Sequence, residues 1–305
     1  MLREELRVDV VIAGVGAAGC LIAAGAAGLY GLTVKAQQPR LLPNTARPTV
    51  PYETVEWDSE GRMVRGWMLP QPGAVKPPAV LVVHGWGSNR SRVLRYALPL
   101  HEAGYAVLMY DARGHGDSDS YPTPSGLMFK EDFLTALNWL RRRPDIDPGR
   151  IGVIGHSLGG FGAVLALEEG AQIQALVTDS MPVRFSTMIG SELRRRRLPE
   201  FPLAYLIPYL MIRRSRIPRS AVKRADPAAI LADPARGRNV PVLLIHSRKD
   251  SYVPAAELEY VLSQAPDLPH LFVESEGHSS SDRDPAFWPA VTAFFSAHLL
   301  PEQRK

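Results

Sequence analysis

Short apolar runs, each followed by a turn that contains glycine or polar residues, recur along the chain after residue 78. The runs are Ala79–Val83, Tyr105–Tyr110, Arg150–Gly155, Ile173–Thr178, Val240–His246 and His270–Val273. Helical segments separate them, and Asp284–His298 predicts a closing helix. Apolar strands spaced by helices are typical of a mostly parallel sheet that is buried on both faces. The pattern therefore predicts an α/β fold whose helices cover both faces of the sheet.

Two further strands are predicted upstream of this series. Tyr52–Ser59 and Arg62–Leu69 alternate between apolar and polar residues, and Glu60-Gly61 between them suits a tight turn. We therefore expect an antiparallel pair at the start of a domain that spans residues 52–305.

The N-terminal region has a different pattern, with no charged side chain from Val10 to Val34. As a helix this run would be about 37 Å long, which exceeds the hydrocarbon core of about 30 Å. We therefore predict that residues 1–35 form a single-pass transmembrane anchor or a signal segment, which places the protein at a membrane. Residues 36–51 contain four prolines and predict a stiff linker.

Other interpretations of the N-terminal region stay open. Gly14, Gly16 and Gly19 follow a short apolar run, as in a dinucleotide-binding fold, and would suit an oxidoreductase. That fold places a carboxylate about 20 residues further on to bind the ribose, and no Asp or Glu occurs between Val10 and Tyr52. The anchor is therefore favoured. A lipoprotein box at Cys20 and a signal-peptidase site at Val34-Lys35-Ala36 are weaker alternatives.

Composition restricts the chemistry. With 35 basic and 31 acidic side chains the net charge is +4, which is too small an excess to indicate nucleic-acid binding. A hydrophobic fraction of 46% and a charged fraction of 22% are values of a globular chain. A single cysteine excludes an intrachain disulfide and a thiolate-rich metal site. We predict that the protein uses no metal and no organic cofactor.

The strongest chemical motif is Gly155-His156-Ser157-Leu158-Gly159, which fits the pattern G-x-S-x-G between an apolar strand and an apolar helical run. Such a turn exposes a serine at the end of a strand, and glycines on both sides let strand and helix approach closely. Ser157 is therefore the candidate nucleophile.

A serine nucleophile needs a base, and the base needs an orienting carboxylate. Asp250 lies in the loop after the run Val240–His246, and His278 lies in the loop after the next run. The order serine, aspartate, histidine is the order in which G-x-S-x-G folds supply these groups. Ser157, Asp250 and His278 are thus the predicted catalytic residues, with Asp179 as the competing acid.

The negative oxygen of a tetrahedral intermediate needs two N–H donors. The backbone N–H of Leu158, directly after the nucleophile, is the first candidate. The second is the N–H of Trp86 in the loop after the first parallel strand. We expect His84 in that loop to be a bracing residue and His115 with Asp117 to belong to a structural turn.

Together these residues resemble the α/β-hydrolase superfamily from about residue 52 to residue 300. The branches most similar in pattern are the serine aminopeptidase/monoglyceride-lipase-like and the prolyl-oligopeptidase-like hydrolases. The matching stretches are His84-Gly85-Trp86-Gly87, Asp111-Ala112-Arg113-Gly114-His115-Gly116, the turn around Ser157, Asp250-Ser251-Tyr252-Val253-Pro254 and Gly277-His278. The resemblance implies an α/β-hydrolase fold and a serine hydrolase's triad, without a particular substrate.

Residues 182–238 form an insertion where that superfamily usually carries a cap. The insertion holds 13 basic and four acidic side chains, a net charge of +9, so the rest of the chain sums to −5. Between its arginine clusters lies the apolar stretch Phe201–Ile212, which is too short to span a bilayer. We expect a lid packed over the catalytic cleft; contact of this basic cap with a membrane surface is the alternative.

These features favour a serine hydrolase that cleaves a carboxylic ester, or an amide, of a small acyl substrate through an acyl-enzyme. A serine aminopeptidase-like peptidase is one alternative. A non-catalytic, membrane-tethered binding protein on the same fold is another, although a binding scaffold does not need all three of Ser157, Asp250 and His278.

Overall fold

A computed structural model describes residues 20–236 and 239–300. Its centre is an eight-stranded sheet with the strand order β1-β2-β4-β3-β5-β6-β7-β8. The strands are β1 Glu53–Ser59, β2 Arg62–Leu69, β3 Ala79–Val83, β4 Ala106–Asp111, β5 Ile151–His156, β6 Ala175–Asp179, β7 Val242–Lys249 and β8 His270–Glu276.

The first two strands pair antiparallel through a turn at Glu60-Gly61, as the alternating pattern predicts. Strand β2 pairs antiparallel with β4, and all later neighbours are parallel. The carboxyl ends of β3 and β5 to β8 therefore meet at one edge of the sheet, which is where functional groups collect in folds of this kind.

Helices cover both faces of the sheet. The first, α1, is described over residues 20–36. The others are α2 Leu94–Glu102, α3 Gly126–Arg141, α4 Leu158–Glu168, α5 Phe185–Arg195, α6 Leu203–Arg214, α7 Arg219–Arg224, α8 Pro227–Ala232, α9 Ala256–Gln264 and α10 Phe287–Leu299.

Alternation along the central strands divides the core into two layers. In β3, Leu81 and Val83 pack on the side of α3 and α4, whereas Val80 and Val82 pack on the side of α2 and α10. All five residues of β3 are buried, because a strand between two helical layers has no face in water. The predicted α/β architecture is confirmed.

The insertion after β6 contains helices α5 to α8. A small core of Leu193, Ala204, Ile207 and Met211 joins α5 to α6. Phe201 and Tyr205 are exposed on the opposite side, at 80% and 65%. Helix α8 packs into the main core instead. It begins at an N-cap, where the Asp226 side chain accepts a hydrogen bond from the Ala229 N–H.

The predicted N-terminal membrane helix is not supported. Residues 10–19 of the uncharged run, including Gly14, Gly16 and Gly19, lie outside the described residues. In the part of the chain that is described, no helix combines the length and the hydropathy needed to cross a bilayer. The end of α1 instead lies on the cap, where Leu29 and Ala36 pack against the core of α5 and α6.

The proline-rich segment after α1 runs along the domain that contains the sheet. Asn89 Nδ2 donates hydrogen bonds to the carbonyl oxygens of Leu42 and Pro43. Asn44 Nδ2 donates to Asp111 over 2.8 Å. The segment is therefore fixed by side-chain contacts to two loops at the carboxyl edge of the sheet.

Candidate active site

The three predicted catalytic residues follow three strands that end at the same edge of the sheet. Ser157 follows β5, Asp250 follows β7, and His278 lies two residues after β8. Beside them lies an open cavity of about 1260 Å³, whose wall includes Ser157 and His278.

Ser157 has the strained backbone that its motif predicts. Its dihedral angles are φ 53° and ψ −123°, and α4 begins at the next residue. Positive φ is costly for a residue with a Cβ atom, and such strain concentrates at functional sites. A Cβ atom at Gly159 would lie 2.4 Å from the carbonyl oxygen of Val83, so only glycine allows α4 to approach β3 this closely.

Asp250 and His278 are joined by a hydrogen bond. Nδ1 of His278 donates to Oδ2 of Asp250 over 2.7 Å, and Oδ1 accepts from the backbone N–H groups of Tyr252 and Val253. Burial acts to raise the pKa of Asp250, but these hydrogen bonds outweigh burial and the pKa is lowered. Asp250 is therefore an oriented carboxylate that holds the Nδ1–H tautomer of His278, which leaves Nε2 free to accept a proton.

Ser157 and His278 line the cavity together, although no hydrogen bond joins Ser157 Oγ to His278 Nε2 in this structure. The turn that carries Ser157 and the loop that carries His278 are joined through His156, whose Nε2 donates to the backbone carbonyl of His278 over 2.8 Å. Burial lowers the pKa of His156 well below its usual range, so this ring is a neutral donor. In the sequence His156 stands out only as the residue before the candidate nucleophile, and neither its spacing nor the motif signals this link.

Two backbone N–H groups beside Ser157 fit the predicted oxyanion site. Leu158 and Trp86 both line the cavity, and neither N–H donates a hydrogen bond to another described residue. A Cβ atom at Gly85 would lie 2.8 Å from the Cβ of Ser157. The loop after β3 therefore lies directly against the serine turn.

His84 braces that loop. Its Nδ1 donates to the carbonyl of Gly85 over 2.7 Å, and its Nε2 accepts from the N–H of Ala112 over 2.9 Å. Burial lowers the pKa of His84 to about 4, so the ring stays neutral. His84 is thus a structural residue, as predicted.

The other candidates lie away from His278. Asp179 accepts a hydrogen bond from the hydroxyl of Tyr96 over 2.5 Å and another from Ser180, so the competing acid is committed to a different network. His115 is fully buried, and burial lowers its pKa to about 3. Asp117 forms an ion pair with Arg90 over 2.5 Å. His115 and Asp117 therefore form no second acid–base pair.

The cavity has walls that the sequence did not reveal. Cap helices α5 and α6 contribute Met188, Ile207 and Met211 to the wall, so part of the apolar cap stretch faces the cavity. Residues from Leu32 to Leu42 also line the cavity, although the pattern indicated an anchor and a linker there. Over residues 20–236 and 239–300, no group of three or more His, Cys, Asp or Glu side chains could hold a metal ion.

Gln37 attaches this N-terminal wall. Its buried side chain donates to the hydroxyl of Ser215 over 2.6 Å and to the carbonyl oxygens of Pro124 and Met211. Its Oε1 accepts from Arg214 over 2.9 Å. One side chain therefore links the end of α1 to the cap and to the start of α3.

A mostly parallel eight-stranded sheet, a strained serine turn and a cap over the carboxyl edge define an α/β hydrolase of the esterase and peptidase type. The comparison with known families agrees: residues 76–235, just over half of the chain, match the family model Hydrolase_4, described as serine aminopeptidase, S33. The chain belongs to this family.

Individual relatives are more distant. The uncharacterized protein Rv2307c of Mycobacterium tuberculosis is 38% identical over 105 residues, which is 34% of this chain and 37% of that protein. The match thus spans about a third of that relative's length. The esterase Pf2001 of Pyrococcus furiosus is 24% identical, with a TM-score of 0.66 over 86% of this chain and 99% of the esterase. A puromycin-hydrolyzing peptidase of Mycobacterium tuberculosis is 21% identical, with a TM-score of 0.63 over 84% and 40% of the two chains. Both structures support the fold alone.

Proposed function

We propose that this protein is a serine hydrolase that cleaves a carboxylic ester through an acyl-enzyme. The observation that carries the proposal is the 2.7 Å hydrogen bond between Asp250 and His278 beside the cavity that Ser157 and His278 line. A buried carboxylate that orients an imidazole near an activated serine is the arrangement of acyl-transfer enzymes.

The proposed reaction has two halves. His278 Nε2 takes the proton of Ser157 while Oγ attacks the carbonyl carbon, and the protonated imidazole then donates that proton to the departing alcohol. Water, deprotonated by His278, next attacks the acyl-enzyme; the bond from the acyl carbon to Ser157 Oγ then breaks, the protonated imidazole returns the proton to Oγ, and the acid is released. The hydrogen bond between Oγ and Nε2 is expected to form with substrate bound, since such contacts tighten in the reacting complex.

The backbone N–H groups of Leu158 and Trp86 are proposed to hold the oxyanion. Neither N–H donates a hydrogen bond to another described residue. Leu158 also begins α4, so its N–H lies at the positive end of a helix dipole. Each donor of this kind contributes about 3 kcal/mol to the lowering of the barrier.

An ester is the first choice of substrate because the cavity is large and mostly apolar, which suits an acyl chain. Peptidase activity is the second candidate. It is favoured by the family to which the chain belongs and by the fold it shares with the puromycin-hydrolyzing peptidase. A series of p-nitrophenyl esters run beside aminoacyl anilides separates the two.

Labelling with a fluorophosphonate tests the mechanism. The folded protein should form one adduct on Ser157, located by peptide mass spectrometry. Ser157→Ala should abolish the adduct and lower kcat by about 10⁴-fold or more, while Ser263→Ala, on the exposed surface of α9, should retain both. A folded protein without an adduct would favour a non-catalytic binding protein and contradict the proposal.

Membrane localisation is a separate proposal that rests on the uncharged run from Val10 to Val34. The full chain should then sediment with membranes and resist extraction by alkaline carbonate. Recovery in the soluble fraction would overturn the anchor without affecting the proposed chemistry.

A further inference from the structure

The cavity beside Ser157 carries an excess of positive charge on its wall. Six cationic side chains line it among the described residues, against the single carboxylate of Glu192. They are Lys35, Arg40, Arg92, Arg184, Arg195 and Arg196. Such a wall attracts an anionic ligand.

Ion pairs neutralise only part of this charge. Glu192 contacts Arg195 and Arg196 over 3.2 and 2.6 Å, and the buried Glu257 pairs with Arg184. Six cations and two carboxylates leave a net charge of +4. Within the described chain Lys35, Arg40 and Arg92 form no ion pair, so their charges are available to a substrate.

One of these cations lies close to the proposed general acid. The guanidinium of Arg195 is 5.6 Å from the centroid of the Tyr252 ring, and that ring is 5.1 Å from the ring of His278. Burial and Glu192 raise the pKa of Tyr252, and Arg195 and Arg196 oppose that rise. These two arginines and the one carboxylate that they share leave a net charge of +1 beside Tyr252, on the histidine side of the cavity.

The histidine side is where the leaving group departs, because the imidazolium must reach the oxygen that it protonates. Leu127, Phe161 and Ile207 also line the cavity, and apolar residues of this kind suit an acyl chain. From this arrangement we infer that the substrate is an ester whose alcohol half carries an anionic group, such as a carboxylate or a phosphate.

This inference rests on the proposed function, since it assigns the two halves of an ester to two sides of the same cavity. The side chains of Arg195 and Arg196 are 61% and 51% exposed, so solvent and salt weaken their attraction. A preference of about ten-fold, rather than an absolute requirement, is the expected effect.

Two esters of equal shape test the inference: para-butyryloxybenzoate, whose leaving group carries a carboxylate, and para-butyryloxybenzamide, whose leaving group is neutral. The measured quantity is the ratio of their kcat/KM values. It is compared among the wild type, the double variant Lys35→Gln/Arg195→Gln, and the control Arg194→Gln. Arg194 lies in the same helix as Arg195 but does not line the cavity.

We expect the wild type to favour the anionic ester and the double variant to lose about ten-fold of that ratio. Arg194→Gln should keep the wild-type ratio, and 0.5 M NaCl should reduce the preference of the wild type. Equal ratios in the wild type and the double variant, with both esters hydrolysed, would overturn this inference alone. If neither ester is hydrolysed and Ser157 forms no fluorophosphonate adduct, the proposed function fails as well.

Discussion

Asp250 makes its hydrogen bond to His278 with one carboxylate oxygen and uses the other to bind its own loop, through the N–H groups of Tyr252 and Val253. Because both oxygens are occupied, the carboxylate cannot rotate without losing contacts on either side. His278 therefore meets an acceptor of fixed direction, which selects one tautomer of the imidazole.

Replacement of Asp250 by Asn should lower kcat by about 10³- to 10⁴-fold with little change in the fold, because an amide no longer selects the Nδ1–H tautomer. The measurement is ester turnover, with circular dichroism to follow folding. Asp179→Asn is the matched control, since Asp179 bonds to Tyr96 instead of His278. A larger loss of turnover in Asp179→Asn than in Asp250→Asn would reverse the assignment of the acid.

Acid should destabilise the protein through its buried neutral histidines. The pKa of His84 falls from 6.5 in the unfolded chain to about 4 in the fold because the ring is buried. Between these values the unfolded state binds more protons, so stability decreases as the pH falls below 6.5. The loss from His84 between pH 7.5 and pH 5 is about 2 kcal/mol.

Urea unfolding at the two pH values measures this loss. His84→Gln has no titrating ring, so its free energy of unfolding should change less between pH 7.5 and pH 5 than that of the wild type. An identical pH dependence in the two proteins would show that His84 titrates normally in the folded state.

Gly85→Ala should displace the loop that carries the proposed Trp86 donor. The new Cβ atom would lie 2.8 Å from the Cβ of Ser157, which is closer than two carbon atoms can pack. We expect kcat to fall by about 10²-fold, the effect of losing one oxyanion donor. Gly31→Ala, where the added Cβ meets nothing within 4 Å, should leave kcat unchanged.

Gln37→Leu should loosen the N-terminal wall of the cavity. The change removes three donated hydrogen bonds and the one that Oε1 accepts from Arg214, and it leaves the carbonyl of Pro124 without its Gln37 partner. The carbonyl of Met211 keeps its hydrogen bond from the backbone N–H of Ser215. We expect a loss of about 1–3 kcal/mol in unfolding free energy and faster cleavage by trypsin at Lys35 and Arg40. The neighbouring Gln38 is exposed, so Gln38→Leu should behave like the wild type; equal cleavage rates in the two variants would contradict this role of Gln37.

The sequence predicts well those elements whose bounds are set by neighbouring residues in the chain. Strand β3 has the predicted bounds Ala79–Val83 because an apolar run buried on both faces ends abruptly at His84 and a glycine turn. Strands β7 and β8 continue past the predicted ends to Lys249 and Glu276. Their last residues are polar and partly exposed, so hydrogen bonding between the strands, rather than burial, extends them.

The placement of Ser157, Asp250 and His278 at one edge of the sheet was predictable from their order at strand ends, because parallel strands bring distant loops to one edge. The contact between Gln37 and Met211 was not predictable, since it joins positions 174 residues apart and leaves no periodic signal. The contacts of Leu29 and Ala36 with the cap likewise join distant positions, so the uncharged run from Val10 to Val34 gave no sign of them and indicated only an anchor.

The docking of residues 32–42 has a practical consequence for anyone choosing where a recombinant version should begin. A recombinant protein that begins at residue 52, directly before strand β1, would lack one wall of the cavity. It would still contain Ser157, Asp250 and His278. Such a shortened protein would keep the three candidate catalytic residues but give a misleading profile of preferred substrates, because water would reach the cavity from the side that residues 32–42 line in the intact protein.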